Sequence, residues 1–164
     1  MPDQSGAGTD AVQLLLSDHQ TVRQLFDQYQ QQAGSATGSP QKQQMAEQIC
    51  KLVTVHANLE EELFYPAARQ ALGPHDLLDE SAVEHASARD LIEQIQQMDP
   101  SEELYDAKVK VLGEYVKHHV QEEENELIPL LQQQGNLDFA ALGQQMMTRR
   151  QELMSEMGVQ EPSA

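Results

Sequence analysis

HANLEEELFYP (residues 56–66) and HVQEEENELIP (residues 119–129) are two copies of one pattern. In each copy a glutamate follows the histidine by four residues, and a proline follows the histidine by ten. Four residues are about one turn of an α-helix, so each histidine and its glutamate lie on one face, about 6 Å apart along the axis. The two copies predict two helices that present an imidazole and a carboxylate to a shared interior.

The sequence around the two copies predicts five helices and no strand. Glycine and proline breaks separate long segments rich in Gln, Glu, Leu, Ala and Met, which favour helix, and alternating β-branched runs are absent. Thr9 or Asp10 can cap the first helix, and Asp99, Pro100 and Glu102 form a capping box for the fourth. The predicted helices span residues 10–33, 41–72, 75–98, 100–134 and 137–157.

Each of the first four helices carries an apolar stripe at helical spacing, and a histidine interrupts every stripe. Short breaks between long helices favour antiparallel neighbours. We therefore predict an all-α fold, an up-down-up-down four-helix bundle over residues 10–134 with an additional C-terminal amphipathic helix over 137–157. Residues 1–9 and 158–164 are predicted tails. The last helix is expected to fold back on the bundle or to contact a partner.

The interrupted stripes point to a metal centre. A buried carboxylate or imidazolium without a partner costs several kcal/mol, about the whole stability margin of a domain. Two divalent cations would neutralise the glutamates and use the imidazole nitrogens. Imidazole with carboxylate suits iron, with manganese or zinc as alternatives, and facing helices of a bundle support diiron carboxylate centres. The candidate metal ligands are His19, His56, Glu60, His85, His119 and Glu123.

This ligand pattern resembles the hemerythrin-like, or HHE cation-binding, domain over about residues 10–134. The resemblance implies two iron ions bridged by Glu60 and Glu123, with water, hydroxide or oxide completing the centre. It assigns one iron to His19 and His56 and the other iron to the remaining pair of histidines, His85 and His119.

The same resemblance implies a non-haem diiron protein that binds or senses a small ligand, namely O2, NO or peroxide, in stress response or iron handling. Two alternatives stay open at this point. One is a diiron oxidoreductase that consumes peroxide or nitric oxide, and the other is an iron-responsive interaction protein.

The third helix departs from the pattern of oxygen-carrying hemerythrins, which have a further histidine four residues from its neighbour. Here Ser81 and Arg89 stand four residues before and after His85. The site is therefore more similar to the symmetric version, with four histidines and two carboxylates, of the bacterial repair-of-iron-centres proteins. Reversible oxygen storage is not expected.

Neighbouring residues offer rival ligands. His118 competes with His119 through Glu122, but its stripe contains polar residues, and the proline spacing selects His119. Glu61 and Glu124 are candidates to contact the ligands from outside.

Composition narrows the range of partners. The chain has 27 acidic and 10 basic residues in 164, a net charge of −17. Such a polyanion repels phosphate, so we expect no nucleic-acid and no membrane-surface partner. No apolar run approaches the roughly 20 residues of a membrane span, and residues 1–9 lack signal-peptide features. The single cysteine, Cys50, is expected to pack as an apolar residue and favours a cytoplasmic location. A redox or protein partner is not identified.

Overall fold

The computed structural model describes residues 10–32 and 40–159, which contain helices and no strand. The tail predicted at 1–9, with the capping candidate Thr9, the break at 33–39 and residues 160–164 lie outside the described residues. The elements are α1 (Ala11–Gln32), α2 (Pro40–Leu59), π1 (Glu60–Phe64), α3 (Tyr65–Leu72), α4 (Asp76–Gln97), α5 (Tyr105–Glu122), π2 (Glu123–Leu127), α6 (Ile128–Gln134) and α7 (Phe139–Met157).

The elements form the predicted up-down-up-down bundle, so the prediction of an all-α fold is confirmed. One continuous rod consists of α2, π1 and α3, and a second consists of α5, π2 and α6. With α1 and α4 these rods make four long helices, in which α1 and α4 each pack against α2 and α5. The additional helix α7 folds back on the bundle and packs against α1, α2 and π1.

A π-helical turn lies between the glutamate and the proline of each sequence repeat. Pro66 and Pro129 have no backbone N–H with which to continue an α-helix. The residue before each proline instead donates its N–H five residues back, from Tyr65 to the Glu60 carbonyl and from Ile128 to the Glu123 carbonyl. The prolines are thus accommodated by one wide turn, after which each rod continues as α-helix. Such turns are frequent at functional sites.

Helix starts follow the sequence signals in one case and depart from them in another. At α1 the Gln13 N–H donates to Asp10 Oδ1 over 2.8 Å, and Asp10 N–H donates to Gln13 Oε1 over 3.2 Å. The fourth predicted helix, however, begins at Tyr105 and not at residue 100. Asp99 Oδ1 accepts the N–H of Ser101, and the Glu102 N–H bonds the Asp99 carbonyl. These bonds close a separate turn ahead of the helix.

The core is continuous between the helices. Cys50 is 1% exposed and packs there as expected. At one crossing Gly113 of α5 lies against the Phe26 ring of α1, and a Cβ on Gly113 would stand 3.0 Å from Phe26 Cδ1. Among the described residues, no helix has the length and apolar character needed to cross a bilayer.

Candidate metal centre

The bundle brings all six predicted ligands to one place in its interior. They come from six elements: His19 from α1, His56 from α2, Glu60 from π1, His85 from α4, His119 from α5 and Glu123 from π2. Five of the six are buried, and the His56 side chain is 12% exposed. Their ligand atoms form two groups, in each of which all the atoms lie within 4.8 Å of one another.

The first group contains His19, His56 and one oxygen from each glutamate. The two Nε2 atoms of His19 and His56 are 3.2 Å apart. His19 Nε2 lies 3.2 Å from Glu123 Oε1, and His56 Nε2 lies 3.3 Å from Glu60 Oε2.

The second group contains His85, His119 and Glu60 Oε1, and Glu123 Oε2 lies beside it next to His119. The Nε2 atoms of His85 and His119 are 3.2 Å apart. His85 Nε2 lies 3.0 Å from Glu60 Oε1, and His119 Nε2 lies 3.2 Å from Glu123 Oε2. Each glutamate therefore offers one oxygen to each group, which is the arrangement that a bridging carboxylate requires.

Every ligand histidine has its outer nitrogen, Nδ1, on a carboxylate. Because each Nδ1 faces a carboxylate that can accept its N–H, Nε2 is the nitrogen left to face the cage, as in metal-bound histidines. The Nδ1 contacts are His19 to Glu124 at 2.7 Å, His56 to Asp18 at 3.3 Å, His85 to Glu61 at 2.9 Å and His119 to Glu84 at 2.7 Å.

The outer carboxylates reveal an internal two-fold pattern. Asp18 and Glu84 each directly precede one cage histidine and contact another, while Glu61 and Glu124 each directly follow a cage glutamate. Arginines four residues after His19 and His85 complete the pattern, because Arg23 contacts Glu124 at 3.4 Å and Arg89 contacts Glu61 at 2.6 Å.

The sequence singled out Glu61 and Glu124 as outer contacts of the cage but not Asp18 or Glu84. The signal available for that pair was an acidic residue immediately before two of the stripe histidines, His19 and His85.

Tyr65 also contacts the cage, although the sequence pattern did not single it out. Its hydroxyl lies 3.0 Å from Glu60 Oε1, 2.9 Å from Glu123 Oε2 and 3.0 Å from His119 Nε2. The signal lies in the comparison of the two repeats, since Ile128 occupies the matching place in the second. The hydroxyl therefore distinguishes the two metal groups.

The cage holds the Glu60 carboxylate ionised. Burial alone would raise the pKa of Glu60, but His56, Glu123 and His119 outweigh burial and hold this pKa well below its usual value. Burial likewise opposes charge on His119, yet contacts with Glu123, Glu60 and Glu84 raise the pKa of His119 to about 12. Burial and the nearby carboxylates raise the pKa of Tyr65 well above its usual value, so its hydroxyl keeps its proton.

Two orphaned oxygens show that cations fit this cage. Glu60 Oε2 and Glu123 Oε1 are buried and make no hydrogen bond among the described residues. They are the two oxygens that face His19 and His56. Buried carboxylate oxygens without a donor are costly, and a divalent cation between these oxygens and the imidazole nitrogens would satisfy all of them. Neutral imidazole with carboxylate is a donor set suited to iron.

A cavity of about 50 Å³ adjoins the cage and is lined by all four ligand histidines. Its walls are otherwise mainly aliphatic, from Val22, Val53, Ala57, Ala88, Ile92 and Val116. One water needs roughly 10–15 Å³, so this cavity has room for a few water-sized molecules.

His118 lies outside the cage. Its side chain is 66% exposed, and its Nε2 lies 3.1 Å from Glu122 Oε1 and 3.5 Å from Glu84 Oε2. The structure therefore directs His119, and not its neighbour, to the interior.

Comparisons with known proteins agree with this geometry. A model of the hemerythrin HHE cation binding domain matches residues 10–131. A crystal structure of a hemerythrin HHE cation binding domain-containing protein from Mycobacterium kansasii superposes with a TM-score of 0.75 at 19% identity, covering 90% of this chain and 88% of the other, a likeness that concerns the fold. A protein named "DNA nickase" from Nostoc sp. strain PCC 7120 is 37% identical over 111 residues, which are 67% of this chain and 30% of that protein. This chain thus spans less than a third of that relative's length.

Proposed function

The chain belongs to the hemerythrin HHE cation-binding domain family, and from this premise we propose that it is a non-haem diiron protein that binds or senses O2, NO or peroxide in stress response or iron handling. The observation that carries the proposal is the inward set of four imidazole nitrogens and four carboxylate oxygens. Apart from the six ligands themselves, Tyr65 is the one described residue whose side chain donates a hydrogen bond to these carboxylate oxygens.

Each metal position has its own ligands. His19 and His56 would hold one iron, while His85 and His119 would hold the other. Glu60 and Glu123 would bridge the two ions, with water, hydroxide or oxide completing the centre. Iron bound in this way would supply electrons and open coordination positions to a small oxidising ligand.

The protein's own side chains determine which ligands can arrive. The aliphatic walls of the 50 Å³ cavity admit a small molecule to the histidine side of the cage. The outer carboxylates fix each imidazole ring, so the cage is preorganised for ions. Tyr65 keeps a proton beside the second group, where it can donate a hydrogen bond to Glu60 or Glu123.

We propose no DNA partner for this protein, although a longer relative is named as a DNA nickase. The net charge of −17 repels a phosphate backbone, and the shared segment is 30% of that protein. The single cysteine favours the cytoplasm as the compartment.

Adjacent histidines provide a matched test. His119→Ala removes a cage ligand, whereas His118→Ala removes an exposed imidazole one residue away. We expect two irons per chain in the wild type and in His118→Ala, with optical bands that change on addition of NO or peroxide, and loss of iron and of these bands in His119→Ala. Equal metal content in the two variants would contradict the proposal. Catalytic consumption of peroxide or NO, absent in a Glu123→Ala control, would identify the protein as the alternative oxidoreductase.

A further inference from the structure

The helix α7 breaks the internal two-fold pattern of the cage at one position. Asp18 and Glu84 occupy matching places, since each bonds the Nδ1 of a ligand histidine on another helix. On its side away from the cage, Glu84 Oε2 lies 3.5 Å from Nε2 of the exposed His118. Asp18 instead meets Arg150, which α7 contributes from outside the four-helix bundle.

The contact between Arg150 and Asp18 is a two-point ion pair. Arg150 Nε lies 3.1 Å from Asp18 Oδ1 and 3.3 Å from Oδ2, and a terminal guanidinium nitrogen lies 2.9 Å from Oδ1. The side chains of Arg150 and Asp18 are 14% and 12% exposed. A planar guanidinium held in this way fixes the carboxylate in orientation as well as in charge.

The ion pair continues directly to a metal ligand. Asp18 Oδ2, which Arg150 Nε contacts, lies 3.3 Å from His56 Nδ1. Nδ1 of His56 is therefore held outward, and Nε2, which lies 3.3 Å from Glu60 Oε2, faces the first metal group. The chain of contacts runs from α7 through Arg150, Asp18 and His56 to the cage.

We propose that Arg150 is a positioning residue for the metal group formed by His19 and His56, and that metal binding there is linked to the docking of α7. The inference rests on the proposed function in requiring that the cage binds metal. Because coupling between two sites is reciprocal, a docked α7 that favours the ion implies an ion that favours the docked α7 by the same factor.

The neighbouring Arg149 gives a matched control. Its Nε lies 2.9 Å from Glu62 Oε1, and it also faces Glu152 and Glu156 on α7. Glu62 is 43% exposed and contacts no ligand among the described residues. Arg149→Gln and Arg150→Gln therefore each remove one positive charge from α7, but only Arg150→Gln removes a contact that leads to the cage.

The first measurement is anaerobic titration of the metal-free protein with Fe²⁺. We expect Arg150→Gln to weaken one of the two equivalents by about 10–100-fold, the usual effect of losing a group that orients a metal ligand. The other equivalent should be unchanged, and Arg149→Gln should bind both as the wild type does. Arg150→Lys keeps the charge without the two-point contact, so we expect partial recovery.

The second measurement is hydrogen exchange of the α7 amides with and without Fe²⁺. Metal should slow exchange in the wild type and in Arg149→Gln, and this protection should be largely lost in Arg150→Gln. Arg150→Lys provides the same test if Arg150→Gln does not fold. Equal iron affinities in Arg150→Gln and Arg149→Gln, with the same metal-induced protection of α7, would overturn the inference. Failure of the wild type to bind iron would instead overturn the proposed function.

Discussion

Tyr65→Phe removes one hydroxyl from the cage and leaves the ring in place. This hydroxyl lies 3.0 Å from Glu60 and 2.9 Å from Glu123, and both carboxylates are almost fully buried. A hydrogen bond to a charged group contributes about 1.5–3 kcal/mol. We therefore expect the variant to lose about 2 kcal/mol of unfolding free energy without metal. At about 2–4 °C per kcal/mol for a domain of this size, the melting temperature should fall by about 4–8 °C.

Bound metal should reduce the loss of unfolding free energy in Tyr65→Phe. Bound cations stabilise the carboxylates themselves, so the hydroxyl then matters less, and we expect a loss below about 1 kcal/mol in the iron-loaded protein. By linkage, iron must bind Tyr65→Phe about fivefold more tightly than the wild type. Urea unfolding followed by circular dichroism, with and without iron, measures both losses, and an iron titration measures the affinity.

Tyr105→Phe is the matched control, because Tyr105 is buried but its hydroxyl makes no hydrogen bond among the described residues. Its stability should change by no more than about 0.5 kcal/mol. An equal loss for Tyr65→Phe with and without iron, or no loss in the metal-free protein, would refute the role assigned to the hydroxyl.

Two further predictions concern groups away from the cage. Burial raises the pKa of the Cys50 thiol to about 12, so we expect iodoacetamide to label the native protein at about pH 8 far more slowly than the urea-unfolded chain, and equal rates would contradict the packing. For Asp106, burial raises the pKa, but hydrogen bonds from Lys42 and Tyr29 outweigh burial and hold the pKa below 3.8. A lowered folded-state pKa adds stability that is present above the unfolded value and lost as pH falls through the folded value. The deficit of Asp106→Asn in urea unfolding should therefore shrink between about pH 5 and pH 3, and a deficit independent of pH would contradict this account.

The bundle could be predicted from sequence because its signals are local and repeated. Helical spacing, glycine and proline breaks and the two matched motifs act over one or two turns, so five helices and the convergence of six side chains followed from them. The start of α5 could not be read in the same way, because Asp99 bonds Ser101 and closes its own turn. The same capping residues, Asp99, Pro100 and Glu102, can either begin a helix or close a separate turn ahead of it, and the sequence does not distinguish the two.

The outer contacts of the cage were less accessible to sequence reasoning. Whether Asp18 holds His56 or faces solvent depends on how α1 and α2 are rotated against each other, and no spacing rule within one helix determines that rotation. Arg150 is 132 residues from Asp18 and reaches it only because α7 folds back on the bundle. Nothing in the sequence next to Pro66 indicates that the Tyr65 hydroxyl lies beside the two cage glutamates.

The wide turn π1 sets the direction in which Tyr65 points. In an unbroken α-helix, residues five apart are rotated by about 140° around the axis, so Tyr65 would face away from Glu60. The bond from the Tyr65 N–H to the Glu60 carbonyl closes a ring with one extra residue, and this places the phenol beneath the carboxylate. If the same residues wound as ordinary α-helix, with Tyr65 still five residues after Glu60, the ring would swing out of the cage. The wide winding of this one turn, more than the identity of its residues, therefore keeps the phenol at the centre.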